Sequence, residues 1–312
     1  MMARKKIALL AFCMMFMFSG CGQSSSSDFV SVRDVENQTS LTEKQSEETT
    51  ADDESDGGII QQIPIDDIMN GESDEEMEYF ILDENQTRVD EVIYERLKED
   101  GEDSRVFYYE GKETELTIPA DVKCEEMGDN YHVVEVGDSA FSENETIERV
   151  VFPDTVKKIG EEAFIYCTSL TKITLPEKME DIGGSAFFGC DSLTAIVIPE
   201  GITTIYTDTF SNCNALKEIQ FPSTLKTIEA EAFWYCEALE TLELPEGLET
   251  IGERVFYNCS SLKTVTFPDT LKDVSADIFQ FCDQLETVYV PADRVSEYEE
   301  LFAGAPFAIA AK

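Results

Sequence analysis

The 312-residue chain reads as an α/β solenoid built from 23-residue units. Short parallel strands line one face, short helical or 3₁₀ turns line the other, a β cap covers the N-terminal end and a helix the C-terminal end. Three columns of identical residues carry that prediction. Phenylalanine recurs at Phe141, Phe164, Phe187, Phe210, Phe233, Phe256 and Phe279, always 23 residues apart. Proline keeps the period at Pro153, Pro176, Pro199, Pro222, Pro245, Pro268 and Pro291, and cysteine at Cys167, Cys190, Cys213, Cys236, Cys259 and Cys282. Three unrelated side chains in one register mean stacked copies of one small unit, each unable to bury its apolar face alone.

Residues 1–20 read as a signal segment. Arg4, Lys5 and Lys6 precede an apolar run from Ile7 to Phe18. That run is shorter than the ~20 apolar residues a spanning helix needs and fits the core of a secretory signal. Ser19 and Gly20 directly before Cys21 resemble the bacterial lipobox, with Phe18 where leucine is usual. The resemblance implies cleavage ahead of Cys21, lipidation of Cys21 and a chain tied to the extracellular face of the cell membrane. A plain secretory signal, with Cys21 a bystander, is the competing reading.

Residues 21–76 read as a disordered acidic tether, because Ser24 to Ser27 lead into Ser, Thr, Glu and Asp with few large apolar groups. Such a stretch cannot bury enough surface to offset its chain entropy. The whole chain carries 65 Asp and Glu against 23 Lys and Arg, a net charge of −42, and loss of the three signal cations leaves −42 − 3 = −45. Nucleic-acid affinity comes largely from Lys and Arg displacing counterions, so nucleic acid is excluded as a partner.

Residues 77–118 read as the N-terminal β cap, with strand-like runs from Val92 to Leu97, Arg105 to Tyr109 and Glu115 to Ile118; a further run, Tyr131 to Val136, follows. A solenoid needs such a cover, since its first unit leaves a sheet edge and an open core.

Residues 119–292 form the solenoid. One unit reads Leu170-x-x-Ile173-x-Leu175-Pro176-x-x-Met179-x-x-Ile182-Gly183-x-x-Ala186-Phe187-x-x-Cys190. Ile173-Thr174-Leu175 alternates apolar and polar, the period of a strand with one buried face, and Pro176 has no N–H to continue the ladder. Ile182 to Cys190 is too brief and too interrupted by glycine for a full helix, so a turn and a short helical piece are expected there. The pattern resembles the leucine-rich repeats of the BspA-like bacterial surface-protein family, on the Leu-x-x-Ile-x-hydrophobic-Pro and Ile-Gly-x-x-Ala-Phe-x-x-Cys marks. The resemblance implies a cell-surface role in contacts with proteins or other cells, and it brings no catalytic residues. Departures are modest: Asn144 replaces the first cysteine, Tyr206 and Glu229 replace the glycine, and Thr209, Val255 and Ile278 replace the alanine.

Residues 293–312 read as a helical cap, with Ser296-Glu297-Tyr298-Glu299 in the form of a capping box and Gly304 and Pro306 as stops.

Seven cysteines remain after processing and lipidation, and the six in the column lack the C-x-x-C spacing of a zinc site. Stacking holds their Cβ atoms near ~4.8 Å, beyond the usual disulfide range of ~3.5–4.5 Å, which favours buried thiols; disulfide pairing and metal binding are the alternatives. Cys124 lies outside the column. A second column, Asp154, Glu177, Glu200, Ser223, Glu246 and Asp269, stacks like charges that splay into solvent or share a divalent cation.

The outward strand positions offer a binding face. Its central stripe is Val151, Thr174, Val197, Gln220, Glu243, Thr266 and Tyr289, flanked by Arg149 and Lys172, with five basic residues (Arg149, Lys157, Lys158, Lys172, Lys178) in the first two units. An open parallel sheet is an available surface, although strand propensity alone also selects Thr and Val. Aromatics at the turn positions, Tyr166, Phe188, Trp234, Tyr235, Tyr257 and Phe281, form a rival surface. There is no G-x-S-x-G, no glycine-rich phosphate loop and only His132 as a histidine, so neither an enzyme nor a cofactor site is expected. The sequence therefore predicts a lipid-anchored module for protein binding or adhesion to an extracellular or host protein, the alternative being a structural spacer or envelope scaffold.

Overall fold

The computed structural model describes residues 86–89, 91–98, 101–123 and 130–312, all within one compact unit, Gly57–Lys312. The expected signal segment, Cys21, the tether and Cys124 lie outside the described residues.

Each repeat contributes two strands to two rows. The front row runs through Glu115–Thr117, Arg149–Val151, Lys172–Thr174, Ala195–Val197, Glu218–Gln220, Thr241–Glu243, Thr264–Thr266, Thr287–Val290 and Ala308–Ala311. The back row starts on Asn130–Val136 and continues through two-residue strands, Lys158–Ile159, Asp181–Ile182, Thr204–Ile205, Thr227–Ile228, Thr250–Ile251 and Asp273–Val274. Paired repeat strands are parallel and join equivalent positions, Arg149 with Lys172 and Thr241 with Thr264. Both rows lose their ladder between the units of Lys172 and Ala195, and the front row again between Gln220 and Thr241.

The alternation seen in sequence sets the inside of the front row: Val150, Ile173, Ile196, Leu242, Val265 and Val288 are buried, each between two outward-facing residues. The segment expected as turn plus short helical piece is a back-row strand followed by consecutive turns. Two residues in each of the first six turn regions, such as Glu162 at φ 56 and Tyr166 at φ 57, and Phe281 alone in the seventh, sit in the left-handed region and stop helical propagation. The backbone then divides its donors. Phe164 and Tyr166 donate to Ala186 and Phe188 of the next unit at 2.8 and 2.7 Å, while Ile165 and Cys167 donate within their own turns. A helix would consume all of these groups internally and leave nothing to join the stack.

The phenylalanine column forms the core. Successive rings from Phe141 to Phe279 stack with centroids 4.7 to 5.9 Å apart and interplanar angles of 16° or less. Tyr109 covers the first ring at 5.4 Å, while Phe302 and Phe307 cover the last at 5.8 and 5.6 Å. Tyr109 comes from Asp103–Tyr109, which pairs antiparallel with Val92–Arg96 and parallel with Asn130–Val136.

The C-terminal helix spans Val295–Leu301, and it corrects the expected capping box. Ser296 lies inside the helix; Arg294 occupies the N-cap position without a side-chain cap bond. Arg294 instead grips Glu297 through Nε and a terminal nitrogen at 2.9 and 2.6 Å and also donates to the Leu271 carbonyl. Beyond the helix, Ala308–Ala311 pairs with Thr287–Val290 and extends the front row, an element absent from the sequence reading.

Candidate functional site

The front row presents the predicted residues on one surface. Arg149 and Lys172 are exposed side by side, and Val151, Thr174, Val197, Gln220, Glu243 and Tyr289 are exposed along the stripe, with Thr266 half-buried. Val197 is 60% exposed, high for an apolar residue in a sheet. Arg149 and Lys172 make no ion pair among the described residues, whereas Lys157, Lys263 and Lys272 pair with Glu180, Glu240 and Glu249 at 3.0, 2.7 and 2.5 Å. The structure thins the expected basic end: Lys157 is engaged by Glu180, and Lys158 belongs to the back row.

The acidic column runs past the C-terminal ends of the front strands. This chain's own donors relieve part of its repulsion. Glu200 accepts from the Ser223 N–H and hydroxyl at 3.0 and 2.9 Å, which lowers its pKa. Lys312 Nζ lies 2.8 Å from both Glu246 Oε1 and Asp269 Oδ1, so one ammonium bridges two consecutive rungs. Sequence reasoning missed Lys312, because a lysine 43 residues beyond Asp269 carries no periodic signal. Among the described residues no three His, Cys, Asp or Glu side chains are grouped to hold a metal ion.

At the first two units a groove of about 340 Å³ opens between the stripe and the acidic column. Val151, Phe152, Leu175 and Pro176 supply its apolar wall, and Asp154, Glu177 and Lys178 its polar rim. Neither Asp154 nor Glu177 makes a side-chain hydrogen bond or ion pair among the described residues.

The turn side is mostly occupied by packing between units. Tyr166 meets Phe188 at 5.4 Å, and Trp234 and Tyr235 meet Tyr257 at 5.9 and 6.1 Å. All are half-buried; Phe281 is 58% exposed and touches Tyr257 at 4.9 Å. Tyr166, Tyr235 and Phe281 occupy the left-handed position that Gly189, Asn212 and Asn258 fill in other units. Gly189 also makes room for its neighbour, since a Cβ there would lie 2.6 Å from the Tyr166 ring.

The cysteine column is internal. All six thiols are free and buried, and each donates to the carbonyl of a phenylalanine 26 residues earlier, at 3.0 to 3.3 Å. In the first unit Asn144 takes that place, with its amide donating to the Gly111 carbonyl at 3.1 Å and its oxygen capping the Thr146 and Ile147 N–H groups. Burial pushes the Cys167 and Cys282 thiols up to about 12 and raises the inner four as well. Nucleophilic chemistry needs the thiolate, which this environment suppresses.

Comparison with known families and structures agrees with this architecture. Residues 134–241 and 226–305 match the profile of the BspA type leucine rich repeat region, in six copies. A leucine-rich repeat protein of T. pallidum is 28% identical with a TM-score of 0.59, covering 73% of this chain and 100% of that one. A leucine-rich repeat protein from Bacteroides capillosus is 33% identical with a TM-score of 0.40, over 44% of this chain and 98% of that one. A leucine rich cell surface protein from Faecalibacterium prausnitzii is 20% identical with a TM-score of 0.39, over 73% of this chain and 95% of that one. A comparison with curated proteins finds no match.

Proposed function

The chain belongs to the BspA-type leucine-rich repeat family, and from that premise we propose that it is a surface-anchored lipoprotein whose front strand face binds an extracellular or host protein. The observation that supports this reading most is the pair Arg149 and Lys172. In a chain of net charge −42, they are stacked in register, exposed and without an ion pair among the described residues. Beside them Val151 and Thr174 are exposed on the same outward face. The seven front strands that carry the stripe, from Arg149–Val151 to Thr287–Val290, extend for about 34 Å at ~4.8 Å each, enough for a standard interface of ~800 Å² per partner. The cations then steer an acidic or polar partner, and Val197 and Tyr289 add apolar area along the stripe.

Location rests on the N-terminal sequence. Three cations, a short apolar run and Ser19-Gly20-Cys21 support lipidation of Cys21 outside the cytoplasmic membrane. One acyl chain anchors only marginally, so Cys21 carries at least two. Mass spectrometry of the native N-terminus tests this, and an unmodified Cys21 or cleavage elsewhere sinks it.

The binding face is tested with Arg149→Glu and Lys172→Glu together, and with Tyr289→Ala, in pull-downs of surface proteins by the full chain. These substitutions change exposed side chains, and stability should stay within about 1 kcal/mol of the parent. Charge acts mainly on association rate, so binding falls as salt rises and falls further in the charge-reversed variant. If the variants capture the parent's partner equally well while changes at Trp234 or Tyr257 abolish capture, the turn side is the interface.

A further inference from the structure

We infer that the groove beside Val151 and Leu175 is a seat for a lysine side chain of the bound partner, its ammonium held between Asp154 and Glu177. The inference rests on the front-face reading and specifies the chemistry that the partner brings to it.

Periodicity supplies the reason. Asp154 and Glu177 are the repeat equivalents of Glu246 and Asp269, four units away in each case. At the second pair the ligand is already present as Lys312, whose ammonium lies 2.8 Å from an oxygen of each carboxylate. The first pair has the same one-unit separation and no hydrogen-bond or ion-pair partner among the described residues. Lys178 lines the same groove, yet it makes no ion pair with either carboxylate.

The rest of the groove fits the rest of a lysine. Val151, exposed in front of the buried Leu175 and Pro176, supplies the accessible apolar wall, along which a four-carbon stem lies while its head reaches the rim. A compact ammonium with three donors suits two carboxylates on consecutive rungs, whereas a planar guanidinium pairs best with both oxygens of one. A calcium ion is poorly served, since it takes six to eight oxygens and only two side chains converge. Across the first two units the face is therefore ordered, with cations at Arg149 and Lys172, an apolar strip, then carboxylates. A partner segment that lies along the strands presents an acidic group to one side and a lysine to the other.

The test titrates Nα-acetyl-lysine N-methylamide into the isotopically labelled full chain and follows the Val151 and Leu175 methyl signals by NMR. The uncharged norleucine and Nε-acetyl-lysine analogues serve as controls. The expected result is a saturable shift in the range of tens of millimolar with lysine alone, weakened about fivefold by Asp154→Asn with Glu177→Gln, the loss of a solvent-exposed ion pair. A thermal melt of that double variant confirms that it is folded. Equal shifts from lysine and norleucine, equal binding by the double variant, or no saturation with any probe overturns the lysine seat. The two readings fail separately: loss of lysine binding leaves the effect of Arg149→Glu with Lys172→Glu on partner capture untouched, and indifference of capture to those reversals leaves the lysine titration intact.

Discussion

The thiol of Cys236 donates to the carbonyl oxygen of Phe210 at 3.1 Å, across one repeat boundary and between two fully buried residues. The same bond recurs at all six cysteines, so two columns that look independent in sequence act as one device. Each of these carbonyls also accepts the N–H three residues on, as Phe210 does from Cys213 at 3.3 Å, so the weak sulfur donor fills the second lone pair without a strongly hydrated group.

The six column thiols should resist labelling in the native chain. At about pH 8 a thiol reagent needs the thiolate, and burial holds these groups protonated. Labelling with and without urea measures this, and rapid reaction of several column positions in the native state would place the column at the surface.

Stability should fall in alkali. The folded thiol pKa is raised, to about 12 at Cys167 and Cys282, above the unfolded value, so the stabilising contribution is complete below the unfolded pKa and disappears as pH climbs toward the folded one. The window opens near ~8.5, and each buried thiol then contributes a slope of ~1.4 kcal/mol per pH unit. Urea midpoints compared between about pH 8 and about pH 9.5 report the slope, and Cys213→Ala should remove about one sixth of the thiol part.

Asp208→Asn should stabilise the protein at neutral pH. Burial, then repulsion from Glu231, pushes the Asp208 carboxyl up to about 6, while Ser211 and Arg254 pull it back. Its favourable contribution is therefore complete below the unfolded value and lost as pH rises through about 6, leaving a costly carboxylate at pH 7. Screening by solvent at this half-buried position reduces the gain to ~1 kcal/mol. Asparagine also tolerates the backbone, which has φ 58 at this residue. Thermal melts at pH 7 and below pH 4 should show the gain only at the higher pH.

Two phenylalanines should respond in opposite ways. Phe210 is fully buried between Phe187 and Phe233, and Phe210→Ala should cost ~3–5 kcal/mol. Phe281 is largely exposed in a left-handed conformation, where strain of ~1 kcal/mol offsets its ring contact with Tyr257. Phe281→Asn should therefore leave stability within about 1 kcal/mol of the parent, read from denaturant midpoints.

The sequence alone determined what stacks on what. A period of 23 puts equal residues in register, so the buried phenylalanine and cysteine columns, the front strands and the outward positions of Arg149, Lys172 and Val151 followed from spacing and alternation. Tertiary structure alone decided features that do not repeat or are too short to carry a period. The back row continues in two-residue strands such as Lys158–Ile159, which have no alternation to read, and Ala308–Ala311 holds a single β-branched residue, Ile309, among three alanines. Arg294 displaced the expected serine cap because the turn closed by its N–H on Pro291 starts the helix at Val295. Lys312 reached Glu246, 66 residues earlier, only because the chain folds back along the front row. Repetition encodes contacts between equivalent positions; contacts that end the stack depend on where the chain returns, and that is settled by three-dimensional packing.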